Sequence, residues 1–131
     1  MPVEIQIAAY GALLLFIHIF VATRFKTRQY GRAWNVGARD EDLPPPDVMT
    51  GRTARAQANY AETFPIAIVA LVGVVIAERT SELTALGGWL WLGSRVAYLP
   101  LYMSGIKVVR TLVYSLSIAG LALVMWPLLA G

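Results

Sequence analysis

Long apolar runs alternate with shorter polar stretches along the chain, and this pattern predicts helices that cross a membrane. The apolar core of a bilayer is about 30 Å thick, so a spanning helix needs roughly 20 mostly apolar residues. Runs with one charge or none cover residues 5–22, 63–77, 83–106 and 111–130. The second run is too short to span alone, so its helix must extend back through the more polar residues 52–62.

We therefore predict an all-α fold, an integral membrane four-helix bundle that forms one domain over residues 1–131. The only long loop lies between the first two helices, at about 26–48, and three consecutive prolines at 44–46 keep helix out of it. Asp47 or Thr50 is expected to cap the helix that follows. The expected helices cover approximately 4–24, 48–77, 82–104 and 107–130.

The composition agrees with a membrane location. Hydrophobic residues make up 57% of the chain and charged residues 15%, whereas soluble domains have roughly 45–50% and 25%. Such high hydrophobicity also excludes a disordered chain. The absence of cysteine excludes a disulfide framework, a thiolate zinc site and a cysteine nucleophile. We predict no metal site and no nucleic-acid partner.

The basic residues predict the orientation, because Lys and Arg are enriched in cytoplasmic loops. Most of the 11 Lys and Arg residues lie between the first two helices, and Lys107 and Arg110 lie near the turn between the last two. We expect a multi-pass protein of the cell (inner) membrane, with the 1–2 and 3–4 connections cytoplasmic and both termini opposite. The first helix is expected to remain uncleaved, because Glu4 stands where a signal peptide has basic residues.

Polar side chains enter the predicted helices in three narrow stripes. At about 100° per residue, spacings of 0, 3, 7 and 10 keep four residues of the second helix within roughly 80°. The trios on the third and fourth helices each span roughly 60°. Polar groups in lipid are costly, and they usually face the bundle interior and indicate function. The stripes are Arg52, Arg55, Asn59 and Glu62 on the second helix, Arg95, Tyr98 and Tyr102 on the third, and Lys107, Arg110 and Tyr114 on the fourth.

If these stripes converge, they form a cationic pocket with phenol groups, which suits a ligand with several carboxylates. Simpler interpretations stay open: the basic residues could lie at the level of the lipid headgroups, the tyrosines could form an interfacial belt, and Glu62 could pair with Arg55. Arg95 is harder to explain in this way, because it lies half-way along its helix. The single histidine, His18, is expected to pack or hydrogen-bond between helices.

The second helix contains a recognisable motif. Residues 55–65 read Arg-Ala-x-x-Asn-x-x-Glu-x-x-Pro, which resembles the signature of the MAPEG superfamily, the membrane-associated proteins in eicosanoid and glutathione metabolism. The preceding residues 39–44 look like the loop of small bacterial members. The four-helix plan of the family covers the whole chain.

The resemblance implies a homotrimer of four-helix protomers that binds glutathione, as cosubstrate, between protomers near the cytoplasmic side. By motif position, Glu62 would hold the glutathione amino group and Arg55 a carboxylate. The stripes on the last two helices resemble the family patterns Arg-x-x-(His or Tyr)-x-x-x-Tyr and Arg-x-x-x-Tyr. The implied glutathione-binding residues are Arg52, Arg55, Asn59, Glu62, Arg95, Tyr98, Lys107 and Tyr114.

The family has an arginine that stabilises the thiolate at the start of the fourth helix. Arg110 is the first candidate here and Lys107 the second. The turn from Tyr102 to Arg110 is about one residue shorter than in the prostaglandin-forming members, and Lys107 falls where some members have arginine, so the sequence leaves open which cation faces the sulfur. Lys is a compact point charge that does not replace the fork of Arg cleanly. We expect Arg110 and Tyr102 to act catalytically, with Tyr102 or Tyr114 donating a hydrogen bond to the sulfur.

The expected function is a membrane-embedded, glutathione-dependent transferase or peroxidase. Its second substrate would be a lipophilic electrophile or hydroperoxide dissolved in the bilayer, and its partners would be membrane lipid and further copies of the chain. The alternative is a non-catalytic member of the family that binds lipid or serves as a scaffold subunit of a membrane complex. A small transporter is less favoured, because the chain has no inverted repeat.

Overall fold

The structure, a computed structural model, describes residues 1–131 and consists of helices without strands. The predicted all-α fold is confirmed. The first and fourth helices end where the third and fifth begin. Thr50 donates to the Phe25 carbonyl, Arg52 donates to the Met103 carbonyl, and a short turn joins the last two helices. We call this end of the molecule the loop end. The helices are α1 (Val3–Tyr30), α2 (Arg32–Val36), α3 (Val48–Ile76), α4 (Glu82–Ser104) and α5 (Lys107–Leu129).

Three of the four long helices, α1, α3 and α5, are long and apolar enough to cross a membrane. Their outer faces expose large apolar side chains such as Phe20, Val69 and Leu112, as expected of surfaces that contact lipid. α4 is not among the three, because its glycines, serines and Arg95 lower its hydropathy. Its polar residues Ser94 and Arg95 are instead buried against the rest of the protein. These features are those of a helical membrane protein.

The loop end holds more helix than we predicted. α1 continues to Tyr30 instead of ending near residue 24, and α2 lies within the predicted loop. We predicted the end of this helix from the end of its apolar run. A helix that continues beyond the bilayer needs no apolar residues, so the run does not mark its end. The extension of α1 also contacts the proline segment: Gln29 donates to the Pro45 carbonyl over 3.1 Å, and Tyr30 donates to the Pro44 carbonyl over 3.0 Å.

Asp47 rather than Thr50 is the N-cap of α3. Its side chain accepts a hydrogen bond from the backbone N–H of Thr50 over 2.8 Å, which satisfies one of the free donors of the first turn. This bond favours the ionised carboxylate and so holds the pKa of Asp47 below its ordinary value. The cap fixes where the helix with the MAPEG-like motif begins.

Close contacts between small residues position α4. Gly87 of α4 and Gly120 of α5 face each other, and a Cβ atom built on either would lie 2.6 Å from the backbone carbonyl oxygen of the other. Glycine therefore allows the two backbones to approach closely, as in many membrane helix pairs. α4 is thus held against α5. Its side chains Trp91 and Leu92 lie in the hydrophobic core.

Candidate functional site

Polar side chains of α3, α4 and α5 meet in the half of the molecule toward the loop end. They lie there because α3 and α5 begin with their polar turns at this end and α4 ends with its polar turns there. The three stripes predicted from helix periodicity therefore reach one region, although their members do not all contact one another.

Arg95 is the buried centre of this region. Only 1% of its surface is exposed, and its Nη2 donates a hydrogen bond to Oδ1 of Asn59 over 2.8 Å. Its guanidinium carbon also lies 4.3, 5.2 and 5.5 Å from the ring centres of Tyr98, Tyr60 and Tyr114. Aromatic faces stabilise a guanidinium in this way, most strongly when it is desolvated. The Nε and Nη1 atoms have no hydrogen-bond partner in the protein.

A second layer lies between this centre and the surface. Tyr98 contacts Tyr102 edge-on at 5.7 Å between ring centres, and Tyr114 at 5.9 Å. The guanidinium carbon of Arg110 lies 4.5 Å from the ring centre of Tyr102, and that of Arg55 lies 6.0 Å from it. Arg55 is exposed, and Tyr102 and Arg110 are half-buried. Two cations therefore flank one phenol that ligands can reach.

Arg52 is held by the end of α4. Its Nη1 donates to the backbone carbonyl of Met103 over 2.9 Å, where the negative end of the helix dipole favours a cation. A Cβ atom built on Gly105 would lie 2.6 Å from Nη2 of Arg52. Gly105 also has a φ of 75°, a left-handed conformation that closes α4. The turn between α4 and α5 thus makes room for this arginine.

Two predicted site residues lie apart from the others. Glu62 is exposed on α3, three residues beyond Asn59, or just under one helical turn, and three residues before Pro65. Lys107 is exposed at the start of α5 and lines a shallow groove with Val108, Thr111 and Leu112. Of the two cations at the start of α5, Arg110 is therefore the one that contacts Tyr102.

Tyr60 and His18 also lie near this region, which the sequence motif did not predict. Tyr60 is fully buried, contacts Arg95, and donates a hydrogen bond to the Gly11 carbonyl over 2.5 Å. His18 stacks on the Tyr60 ring with 4.8 Å between ring centres. Neither of its ring nitrogens has a hydrogen-bond partner in the protein, so the packing alternative for this residue holds. The only sequence signal was that Tyr60 directly follows Asn59.

Chemically, the region combines a buried, hydrogen-bonded cation with an accessible pair of cations around a phenol. Guanidinium groups bind carboxylates and stabilise nearby anions, and a phenol can donate a hydrogen bond to an anion. The buried layer suits a structural role, because Asn59 and three aromatic rings already surround Arg95. The outer layer, Arg55, Tyr102 and Arg110, is the part that can receive a ligand.

Fold and site together define a helical membrane protein with a cationic and phenolic cluster at one end of its helices. The sequence model of the MAPEG family matches residues 7–130, nearly the whole chain, and the chain belongs to this family. The resemblance drawn from the second-helix motif is therefore confirmed. Neither the curated proteins nor the solved structures gave a significant match.

Proposed function

We propose that this protein is a glutathione-dependent transferase or peroxidase of the membrane. The observation that supports the proposal most is the flanking of Tyr102 by two guanidinium groups, Arg110 at 4.5 Å and Arg55 at 6.0 Å. Glutathione has two carboxylates, one amino group and one thiol, so it needs cations for binding and an anion-stabilising group at its sulfur. Membership of the MAPEG family, which includes glutathione transferases, agrees with this choice.

In the proposed mechanism, Arg110 lowers the pKa of the glutathione thiol. A free thiol ionises near pH 8.5, and a guanidinium nearby favours the thiolate by about 1–3 pKa units. Tyr102 donates a hydrogen bond to the sulfur. The thiolate then attacks a lipophilic electrophile and displaces its leaving group. Alternatively, it attacks the outer oxygen of a hydroperoxide, so that the O–O bond breaks, the alcohol leaves after taking a proton, and the sulfur becomes a sulfenic acid. A second glutathione reduces this sulfenic acid and gives glutathione disulfide and water. Glutathione is a substrate here, and no metal takes part.

Arg55 and Glu62 bind the ends of glutathione in this proposal. Arg55 pairs with a carboxylate, and Glu62 accepts from the amino group. Both side chains are exposed on the single protomer, which suits a site completed by a neighbouring copy in a homotrimer. Arg52, Asn59, Arg95, Tyr98, Lys107 and Tyr114 complete the proposed set, with Asn59 and Arg95 acting from beneath the surface.

The membrane arrangement is part of the same proposal. All four long helices span the membrane, including α4, whose polar residues are shielded by its neighbours. The loop end faces the cytoplasm, because most Lys and Arg residues lie there, and glutathione enters from that side. The second substrate reaches Tyr102 laterally from the bilayer.

Glutathione binding and turnover of the purified protein in detergent test the proposal. We expect saturable glutathione binding by calorimetry and conjugation of a hydrophobic aryl halide. Arg55→Ala and Glu62→Ala should weaken binding at least ten-fold, about 1.4 kcal/mol. Arg39→Ala is the matched control, because this arginine contacts Asn35 and Trp34 and no site residue. Absence of glutathione binding in the wild type would contradict the proposal and favour the scaffold alternative.

A further inference from the structure

A second cluster of basic residues lies at the loop end, where the chain bends between α1 and α2. An open groove of about 510 Å³ is lined there by seven residues. Three of them are arginines, Arg24, Arg28 and Arg32, and none is acidic. None of the seven belongs to the proposed glutathione site, so the groove needs an explanation of its own.

The groove is a consequence of helix periodicity and of one glycine. Its members on α1 recur every three or four residues from Phe20 to Arg28, so they share one face of the helix. Gly31 then adopts a φ of 93°, a left-handed conformation that ends α1 and redirects the chain. The new direction brings Arg32 and Asn35 of α2 beside that face.

The height of the groove relative to the membrane is set by the apolar run of α1. The uncharged residues 5–23 extend about 28 Å as a helix, which equals the thickness of a hydrocarbon core. Arg24 therefore lies where lipid headgroups begin, and Arg28 lies about 6 Å beyond it. Phe20, one turn before Arg24, is 67% exposed and faces the acyl region next to the groove.

The polar groups of the groove are suited to an oxygen-rich anion. Thr27 contributes a hydroxyl that is buried and has no hydrogen-bond partner in the protein. Asn35 is held in place by Arg39, whose Nη2 donates to its Oδ1 over 2.7 Å. The Asp47 carboxylate is attracted to Arg28, but it is not a lining residue of the groove and accepts from the Thr50 N–H. Three cations thus converge without a counter-ion among the lining residues.

We propose that this groove binds the phosphate of an anionic phospholipid, with the arginines on the phosphodiester and Phe20 beside the acyl chains. Guanidinium forks match phosphate oxygens, and basic pockets near the membrane surface bind anionic headgroups. A free phosphate offers the same oxygens, but the position at the headgroup level and the exposed phenylalanine favour the lipid. The protein then associates selectively with anionic lipid, independently of glutathione.

Spin-labelled lipids test the proposal in phosphatidylcholine vesicles that contain the full-length protein. The fraction of immobilised label gives the preference for spin-labelled phosphatidylglycerol over spin-labelled phosphatidylcholine. We expect a clear preference for phosphatidylglycerol in the wild type. Each of Arg24→Gln, Arg28→Gln and Arg32→Gln should reduce it by about five-fold or to no preference, because each removes a guanidinium that would donate to the phosphate oxygens.

Lys26→Gln is the matched control, because Lys26 lies between Arg24 and Arg28 on α1 but is not a lining residue. It changes the charge equally at the same height and should keep the preference. Equal losses in Lys26→Gln and the arginine variants would overturn the proposal, as would no preference in the wild type. Arg24→Lys keeps the charge and should retain most of the preference, which guards against a folding defect in Arg24→Gln.

Two competitors separate the sources of the anion. At equal ionic strength, inorganic phosphate and sulfate should have the same effect on the preference for phosphatidylglycerol. A loss of the preference with phosphate but not with sulfate would assign the groove to a free anion. Saturating glutathione should also leave it unchanged. Displacement by glutathione would place the groove in the glutathione site and overturn the proposal, whether or not the proposed enzymatic function holds.

Discussion

Nη2 of Arg95 and Oδ1 of Asn59 lie 2.8 Å apart and join α4 to α3 by a hydrogen bond in the interior. Arg95 is 1% exposed, and this is the only hydrogen bond that its side chain makes within the protein. The bond therefore links the two helices on which most of the proposed site residues lie. Its contribution to stability is separable from any contribution to catalysis.

Removing only one member of this pair should destabilise the protein. Asn59→Ala leaves the buried guanidinium without its acceptor and should cost about 2 kcal/mol, as for other hydrogen bonds to charged groups. Arg95→Met combined with Asn59→Leu should cost less than Asn59→Ala alone, because both polar partners are then replaced by apolar groups. Thermal unfolding in detergent, followed by circular dichroism, measures the difference. A double variant that is destabilised as much as Asn59→Ala, or more, would contradict this coupling.

The contact between α4 and α5 should tolerate no added methyl group. Gly87→Ala would place a Cβ atom 2.6 Å from the Gly120 carbonyl oxygen, so we expect a loss of about 1–3 kcal/mol from overpacking. Gly93 on the same helix has open space around its Cα. Gly93→Ala should be neutral or slightly stabilising, since alanine favours helix. Equal thermal midpoints for the two variants would show that the close approach is unimportant.

The polar atoms of Tyr60 and His18, the two buried rings near Arg95, should contribute differently to the stability of the protein. Tyr60→Phe removes the hydrogen bond to the Gly11 carbonyl and should cost about 1 kcal/mol. His18→Leu removes two ring nitrogens that have no partner, so the stability lost with the stacking should be largely offset. We expect the His18 variant to melt at or above the temperature of the Tyr60 variant. The reverse order would contradict the prediction that the polar atoms of His18 contribute nothing to stability.

The cap of α3 should make stability depend on pH in the acid range. The backbone N–H of Thr50 holds the pKa of Asp47 below its ordinary value. The ionised form therefore stabilises the folded state above the unfolded pKa, near 3.9, and this contribution is lost as the pH falls through the lower folded pKa. Between about pH 6 and about pH 3, the wild type should lose more thermal stability than Asp47→Asn, whose amide oxygen caps without titrating. Parallel losses would contradict this assignment.

The sequence predicted the four long helices, but not α2, and it predicted which end of them holds the polar residues. Spacing alone sufficed for this, because the apolar runs must face lipid or the core and the stripes must then face one another. The sequence did not predict which residues each member of a stripe contacts. Arg52 reaches the Met103 carbonyl, Asn59 turns to Arg95, and Glu62 stays exposed, because long side chains and small helix rotations decide such contacts.

Other features carried no readable signal. Gly120 is one of 11 glycines, and only the packed structure reveals that it faces Gly87. The extension of α1 to Tyr30 lies beyond the apolar run, where hydropathy no longer distinguishes helix from loop. The groove between α1 and α2 depends on this extension and on the turn at Gly31. The sequence therefore did not predict that the arginines lining it share one groove.

The formation of glutathione thiolate tests the central claim most directly. Stopped-flow absorbance near the thiolate band should rise when the wild-type protein is mixed with glutathione. Lys107→Ala should keep this signal, whereas Arg110→Ala should abolish it and leave some glutathione binding, because Arg110 is the cation that contacts Tyr102. The absence of a thiolate signal in the wild type, or its loss in Lys107→Ala but not in Arg110→Ala, would contradict the account.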